Sequence, residues 1–150
     1  MFWRKCAPAL LCCLLAVPAC AFTFSYGNVF DVKDVKNEGG VPVLPLSGGK
    51  YKNVKVLDKD LYDFLLQCKA DCRYPAEKVS FVSADYRKAF TNERMLIADV
   101  DFNGEISLTF LVFKNKDGFS VKTPAEAVFK DRKLEKRVKT YLIRLAEKNL

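Results

Sequence analysis

The strongest constraint on the fold is a series of apolar residues that alternate with polar ones over the middle of the chain. This period-two alternation predicts strands over 79–86, 95–101 and 105–113, with a shorter strand over 119–122. Only short links separate the runs, and short links join antiparallel neighbours in a sheet. The sequence therefore predicts an antiparallel β-meander.

Two further segments are predicted as helices because their apolar residues recur with a period of three to four. In the first, Asp58 offers an N-cap, and the apolar stripe continues to Cys72. The second opens with a capping box from Thr123 to Glu126 and is predicted to run to about Lys148. The predicted fold class is α+β, an antiparallel meander of about four to five strands with a central and a C-terminal helix packed on one face.

The segments before the meander suggest a division of the chain into three parts. Residues 1–21 read as a signal peptide. Residues 22–50 are predicted to form an N-terminal strand followed by a loose arm that contains glycine and proline. Residues 51–150 are predicted to form a single α+β domain, which is long enough to bury a core.

The signal peptide is predicted from the order of its charged and apolar residues. Arg4 and Lys5 precede an uncharged apolar run that is short for a membrane span, and an A-x-A-like site predicts cleavage after Ala21. The chain is therefore expected to be exported, to be periplasmic or secreted, and not to be transmembrane after cleavage. The alternative is a lipoprotein signal, with lipid attached at Cys20.

Composition narrows the classes of function. The sequence has no histidine, so the commonest zinc ligand is absent. Catalysis by a Ser-His-Asp or a Cys-His arrangement is excluded for the same reason. Ser47 and Lys50 match the S-x-x-K spacing of penicillin-binding enzymes, but the two glycines between them predict a loop. The net charge is +7, and removal of Arg4 and Lys5 with the signal peptide would leave +5, which suits an anionic partner without requiring one. Export and the lack of a binding motif argue against nucleic acid, and no cofactor is predicted.

Cys68 and Cys72 are the two cysteines that lie outside the signal region. On a continuous helix their four-residue spacing would put the Cα atoms about 6 Å apart, which a disulfide accepts. The favoured interpretation is a structural disulfide in an exported protein, and the alternatives are two buried thiols or a redox pair.

The segment from Asp99 to Ser107 resembles the start of an EF-hand calcium loop, but Phe110 stands where the closing glutamate belongs. The flanking alternation predicts a β-hairpin instead, with 102–104 as its loop and Gly104 in the left-handed conformation. In that register Val100 opposes Ile106. The acidic side chains then lie together on the opposite face of the hairpin. There Asp99, Asp101 and Glu105 form a candidate weak cation site.

The C-terminal helix is basic and amphipathic. Its candidate contacts with an anionic surface are Lys133, Lys136, Arg137 and Arg144. The plainer interpretation is a helix that docks on the sheet and keeps its lysines in solvent. The sequence as a whole predicts a small exported protein of the bacterial envelope that works by binding or assembly rather than catalysis, with another envelope protein or an anionic surface as its partner.

Overall fold

The computed structural model describes residues 20–150, so the predicted signal segment lies almost entirely outside the described residues. The described residues form an α+β fold, as predicted, with more strands than the four to five expected. The elements are β1 (Phe22–Tyr26), β2 (Phe30–Glu38), β3 (Val41–Val43), β4 (Val54–Val56), α1 (Lys59–Gln67), β5 (Cys72–Tyr74), β6 (Phe81–Lys88), β7 (Met95–Phe102), β8 (Ile106–Asn115), β9 (Gly118–Lys122), β10 (Ala127–Phe129) and α2 (Arg132–Asn149).

The first sheet has the strand order β10-β2-β1-β5, and β3 also pairs with β2. The prediction of a loose arm after the first strand is wrong, because β2 occupies much of that segment. Asp34 has a positive φ of 59°, and the register with β1 shifts by one residue there. This bulge lets Val32 and Val35 both reach the core although they are three residues apart. The bulge breaks the period-two pattern, and for this reason the sequence pattern did not predict the strand.

The second sheet has the order β4-β8-β7-β6, and β9 pairs with the end of β8 that β4 leaves free. Every pairing in it is antiparallel, so the meander from β6 to β9 is confirmed. On β7 every second residue from Leu96 to Phe102 is buried, as the alternation requires. We call the face that carries these buried residues the inner face of the second sheet.

The hairpin between β7 and β8 has a different register from the one predicted. Val100 pairs with Leu108 rather than Ile106, and the three-residue loop is 103–105. Asn103 and Gly104 both have positive φ, and Asn103 exchanges hydrogen bonds with the backbone of Ser80. The pairing slides by two residues, which keeps each side chain on its predicted face.

The first helix ends earlier than predicted. Asp58 caps it as expected, since its carboxylate accepts from the backbone N–H groups of Asp60 and Leu61. The helix stops at Gln67, where the side-chain amide of Asn37 donates to backbone carbonyls of its last turn. Its continuation to Cys72 is therefore wrong, because that residue begins β5.

The second helix begins later than predicted. The segment 123–126 does not cap it, and 127–129 forms β10 against β2. Asp131 is the actual N-cap and accepts from the backbone N–H of Leu134. The helix buries one stripe of apolar residues and packs on the inner face, where the rings of Tyr141 and Phe81 lie 5.8 Å apart.

A cluster of aromatic rings joins the two sheets. Phe30 of the first sheet lies 5.4 Å from Phe102 of the second, and Phe129 of β10 contacts Phe30, Phe102 and Phe110. This cluster explains why 127–129 forms a strand rather than a helical turn, since β10 delivers Phe129 to the core. The inner face of the second sheet is thus covered, and its outer face stays accessible.

Candidate functional site

The outer face of the second sheet carries a row of four side chains that crosses four strands. The register places Arg87 beside Ile97, Ile97 beside Leu111, and Leu111 beside Lys122. Directly paired residues project from the same face of a sheet. An apolar pair therefore lies between two cations, on the side away from the core.

A cavity of about 790 Å³ that is open to solvent lies over this row, and we call it the outer pocket. Its floor includes Met95, Ile97, Asp99, Thr109 and Leu111. One side is formed by 47–55 together with 122–125, and the opposite side by 87–91. The pocket thus combines an apolar floor with sides from separate loops, which is the usual make-up of a ligand site.

The loop that forms the first side is held by hydrogen bonds. The backbone of Ser47 pairs with that of Tyr51, and its hydroxyl donates to the carboxylate of Glu126 at 2.7 Å. Gly48 and Gly49 both have positive φ, which a helix does not allow. The prediction of a glycine loop is confirmed, and the loop presents the two-thirds exposed ring of Tyr51 to the pocket.

The hairpin between β6 and β7 forms the second side. Ala89 and Met95 close it through a backbone hydrogen bond of 2.8 Å, and Asn92 accepts from the backbone N–H of Arg94 within the turn. This turn leaves Phe90 fully exposed. A phenyl ring that is completely exposed at the edge of a cavity is typical of a contact surface.

The outer pocket is positively charged. Its lining has one carboxylate, Asp99, among the described residues, and four cations, namely Lys52, Lys55, Arg87 and Lys122. The Asp99 carboxylate accepts from the hydroxyl of Thr109 at 2.5 Å and forms a 3.4 Å salt bridge with Lys55. Within residues 20–150 the other three cations form no salt bridge, so their charge is available to a ligand.

The predicted cation site is not assembled. Asp99 and Asp101 lie on the outer face, paired with Thr109 and Ser107, whereas Glu105 turns toward the first sheet. Within the described range, no group of three or more acidic or cysteine side chains is placed to hold a metal ion. The changed register is the cause, since Glu105 lies in the loop and does not oppose Asp101.

Glu105 instead joins the hairpin to the first sheet. Its carboxylate accepts from the hydroxyl of Tyr26 at 2.6 Å and from that of Tyr74 at 2.9 Å. Burial raises the pKa of both tyrosines, that of Tyr74 to about 12, and the hydrogen bonds to Glu105 act in the same direction. Both phenols therefore stay protonated donors at neutral pH, which indicates a structural role.

Cys68 and Cys72 lie at disulfide distance, with Cα atoms 6.1 Å apart. The pair is seen as predicted, but the reason given for it was wrong. The cysteines do not share a helix, because Cys68 is the C-cap of α1 and Cys72 begins β5. The bond therefore ties the end of the helix to the edge of the first sheet.

The cations of α2 lie on its solvent side. The four predicted contacts are all exposed, namely Lys133, Lys136, Arg137 and Arg144. The guanidinium of Arg137 lies 5.8 Å from the centre of the Phe81 ring, so a cation–π contact already engages it. The structure does not bring these cations together with the outer pocket.

Sequence reasoning missed the outer pocket, although one signal for it was present. Both strands that form its floor lose their alternation at one end, over 95–98 and 110–113, where four apolar residues follow one another. Continuous apolar runs indicate strands whose two faces both contact apolar groups. The missed residues include Tyr51, Arg87, Phe90 and Lys122.

Comparison of the chain with protein-family profiles, with curated proteins and with solved structures gave no significant match. The geometry and charge of the outer pocket therefore carry the functional argument. Among residues 20–150, no helix has both the length and the apolar character that a membrane span requires.

Proposed function

We propose that this protein is an exported binding protein of the bacterial envelope that acts without catalysis and contacts its ligand through the outer pocket. The observation that carries the proposal is the apolar pair Ile97 and Leu111, which lies between Arg87 and Lys122 and beside the fully exposed Phe90. An exposed apolar surface that is bordered by cations is typical of a site that a binding partner covers.

The side chains of the pocket favour binding over acid–base chemistry. A general acid or base has to be free to exchange a proton with its substrate. Asp99 is held by Thr109 and Lys55, and its side chain is only 15% exposed. The remaining charged groups of the lining are lysines and an arginine, which suit the recognition of a negative ligand.

Two features support export. The cysteine pair at disulfide distance suits an oxidising compartment, where such bonds persist. The charged and apolar layout of residues 1–21 suits a signal peptide, which would deliver the chain to the periplasm or beyond. Mass spectrometry of the exported protein tests this step, because cleavage after Ala21 and lipid attachment at Cys20 give different masses.

A dye-binding experiment tests the pocket. Anilinonaphthalene sulfonate is an apolar anion, so it should fluoresce on binding to the native protein, and Phe90→Ser should remove most of that signal. Val128→Ser is the matched control, because Val128 is an exposed apolar residue of β10 outside the pocket. Equal dye binding by the two variants and the parent protein would refute the proposal.

Binding to an anionic surface through α2 is the second candidate, and its support is the four exposed cations. The structure offers less for it, because a helix that lies on a membrane buries an apolar face in the lipid. The apolar stripe of α2, which comprises Leu134, Val138, Leu142 and Ala146, is already buried in the core. Only electrostatic attraction remains for such a surface.

A further inference from the structure

We infer that the outer pocket binds an extended acidic segment of another protein, in which a bulky apolar side chain lies between two carboxylates. This inference rests on the proposed function, because it names the class of ligand for the same pocket. It is drawn from the order of side chains along one row, which is cation, apolar, apolar, cation.

The spacing of the row determines the spacing of the ligand. Arg87 and Lys122 are separated by three strand-to-strand steps of about 4.8 Å, hence roughly 14 Å between Cα positions. An extended chain advances about 3.3 Å per residue, so four residues span about the same distance. Acidic residues at positions i and i+4 can therefore reach the two cations when the segment crosses β7 and β8.

The same geometry places the apolar side chain. In an extended segment, residues i, i+2 and i+4 project from one face. With carboxylates at the two ends, the side chain at i+2 lies over the middle of the row, where Ile97 and Leu111 form an apolar floor. Phe90 and Tyr51 stand on opposite sides and can cover an aromatic or large aliphatic group.

Other anionic ligands fit less well. A single acyl chain needs an enclosed apolar cavity, whereas this pocket is open and has Asp99 and Thr109 in its floor. A nucleic-acid backbone carries a charge at every step, so it would pass over the Asp99 carboxylate. A second copy of this chain is opposed by charge, since the full chain carries +7 and loses only Arg4 and Lys5 on cleavage after Ala21.

Fluorescence anisotropy with a labelled peptide tests the inference. The probe is Glu-Ser-Trp-Ser-Glu with blocked ends. One comparison peptide has Gln for both Glu residues, a second has Gly for Trp, and a third is Ser-Glu-Trp-Glu-Ser. The parent protein should bind the probe more tightly than all three, because only the probe presents both carboxylates and the ring on one face.

Charge reversal identifies the surface. The double variant Arg87→Glu and Lys122→Glu should weaken probe binding about tenfold or more, since two attractive contacts become repulsive. The matched control is Lys133→Glu with Lys136→Glu, which changes the net charge equally on the exposed side of α2 and should keep affinity within about twofold of the parent. Circular dichroism melting of each variant establishes that it is folded.

The outcomes separate the two proposals. If the dye binds at the pocket and the peptide does not, the proposed class of ligand is wrong and the proposed binding site is supported. If neither binds, both proposals fail. The inference of an acidic protein segment is overturned if the control variant weakens probe binding equally. It is also overturned if a single-stranded oligonucleotide or phosphatidylglycerol vesicles bind more tightly than the probe.

Discussion

Replacing Glu105 by Gln should destabilise the protein, because this carboxylate is the shared acceptor between the two sheets. It accepts two hydrogen bonds, from the fully buried Tyr26 and from the half-buried Tyr74. A hydrogen bond to a charged acceptor contributes about 1.5–3 kcal/mol to stability, and a neutral one about 0.5–1.5 kcal/mol. The two hydroxyls bind different oxygens of the carboxylate, and the amide of Gln keeps only one of them as an acceptor. One bond therefore becomes neutral and the other is lost, so we expect a loss of about 3 kcal/mol.

The local geometry limits how far the structure can compensate. Besides Glu105, the Tyr26 hydroxyl is close to the backbone carbonyl of Phe102, at 3.3 Å, and to the side-chain amide of Asn103. The loss should appear as a lower urea midpoint with an unchanged slope, since the surface exposed on unfolding stays the same. For a domain of this size it corresponds to a drop in melting temperature of about 10 °C.

Asp101→Asn is the matched control, because it removes one negative charge from the same hairpin and breaks none of the hydrogen bonds found within residues 20–150. A second measurement isolates the bond itself. Tyr74→Phe is introduced into the parent and into the Glu105→Gln variant. It should lower the free energy of unfolding by less in the variant, where the bond is already weakened. An equal loss in Asp101→Asn, or identical effects of Tyr74→Phe in both backgrounds, would refute the reasoning.

Four further predictions follow from the same contacts. Since burial raises the pKa of Tyr74 to about 12 from 10.0, stability should be retained below pH 10 and fall as the pH rises toward 12. Tyr74→Phe should make that decline shallower in a pH series of urea midpoints, and Tyr26, whose pKa is raised as well, accounts for the decline that remains. Replacing both Cys68 and Cys72 by Ser should lower the free energy of unfolding by about 2 kcal/mol, because the disulfide closes only a short loop. Free thiols in the non-reduced protein would contradict the disulfide. Millimolar calcium should leave the melting temperature unchanged, because the hairpin acids are not assembled into a site. Sedimentation with anionic vesicles should not change when three exposed cations of α2 are replaced by Gln, namely Lys133, Lys136 and Arg137, and a loss of sedimentation would favour the surface-binding candidate.

The sequence predicted the second sheet well because the alternation over 98–102 and 106–110 is a local property. The face of each residue on β7 and β8 is correct even though the register is not, since a slip of two residues preserves the face. The errors occur where a non-glycine residue adopts positive φ. Asp34 lies within β2, where one extra residue shifts the pairing with β1. Asn103 lies in the loop between β7 and β8, which begins one residue later than predicted, so that pairing slides by two residues.

The start of α2 was mispredicted because two capping patterns compete. The segment 123–126 satisfies the capping box as a sequence, but a helix starting there would take Phe129 away from the aromatic core. Pairing of β10 with β2 places Phe129 in that core, and Asp131 then provides the cap. Long-range burial thus overrides a local signal. The outer pocket escaped prediction for a related reason, since only the register of four strands brings Arg87 and Lys122 to one row.

The edge of the second sheet explains why a ligand would cross its face rather than extend it. Strand β6 is an edge strand, and an exposed edge can pair with an added strand. Here the edge has a bulge between Ser83 and Asp85, and Arg87 and Lys88 add charge beyond it. Bulges and charges are the features by which natural sheets discourage such pairing. A partner that cannot add to β6 can still lie across β7 and β8, where Arg87 projects from the edge strand toward the apolar floor and provides one end of the charged row.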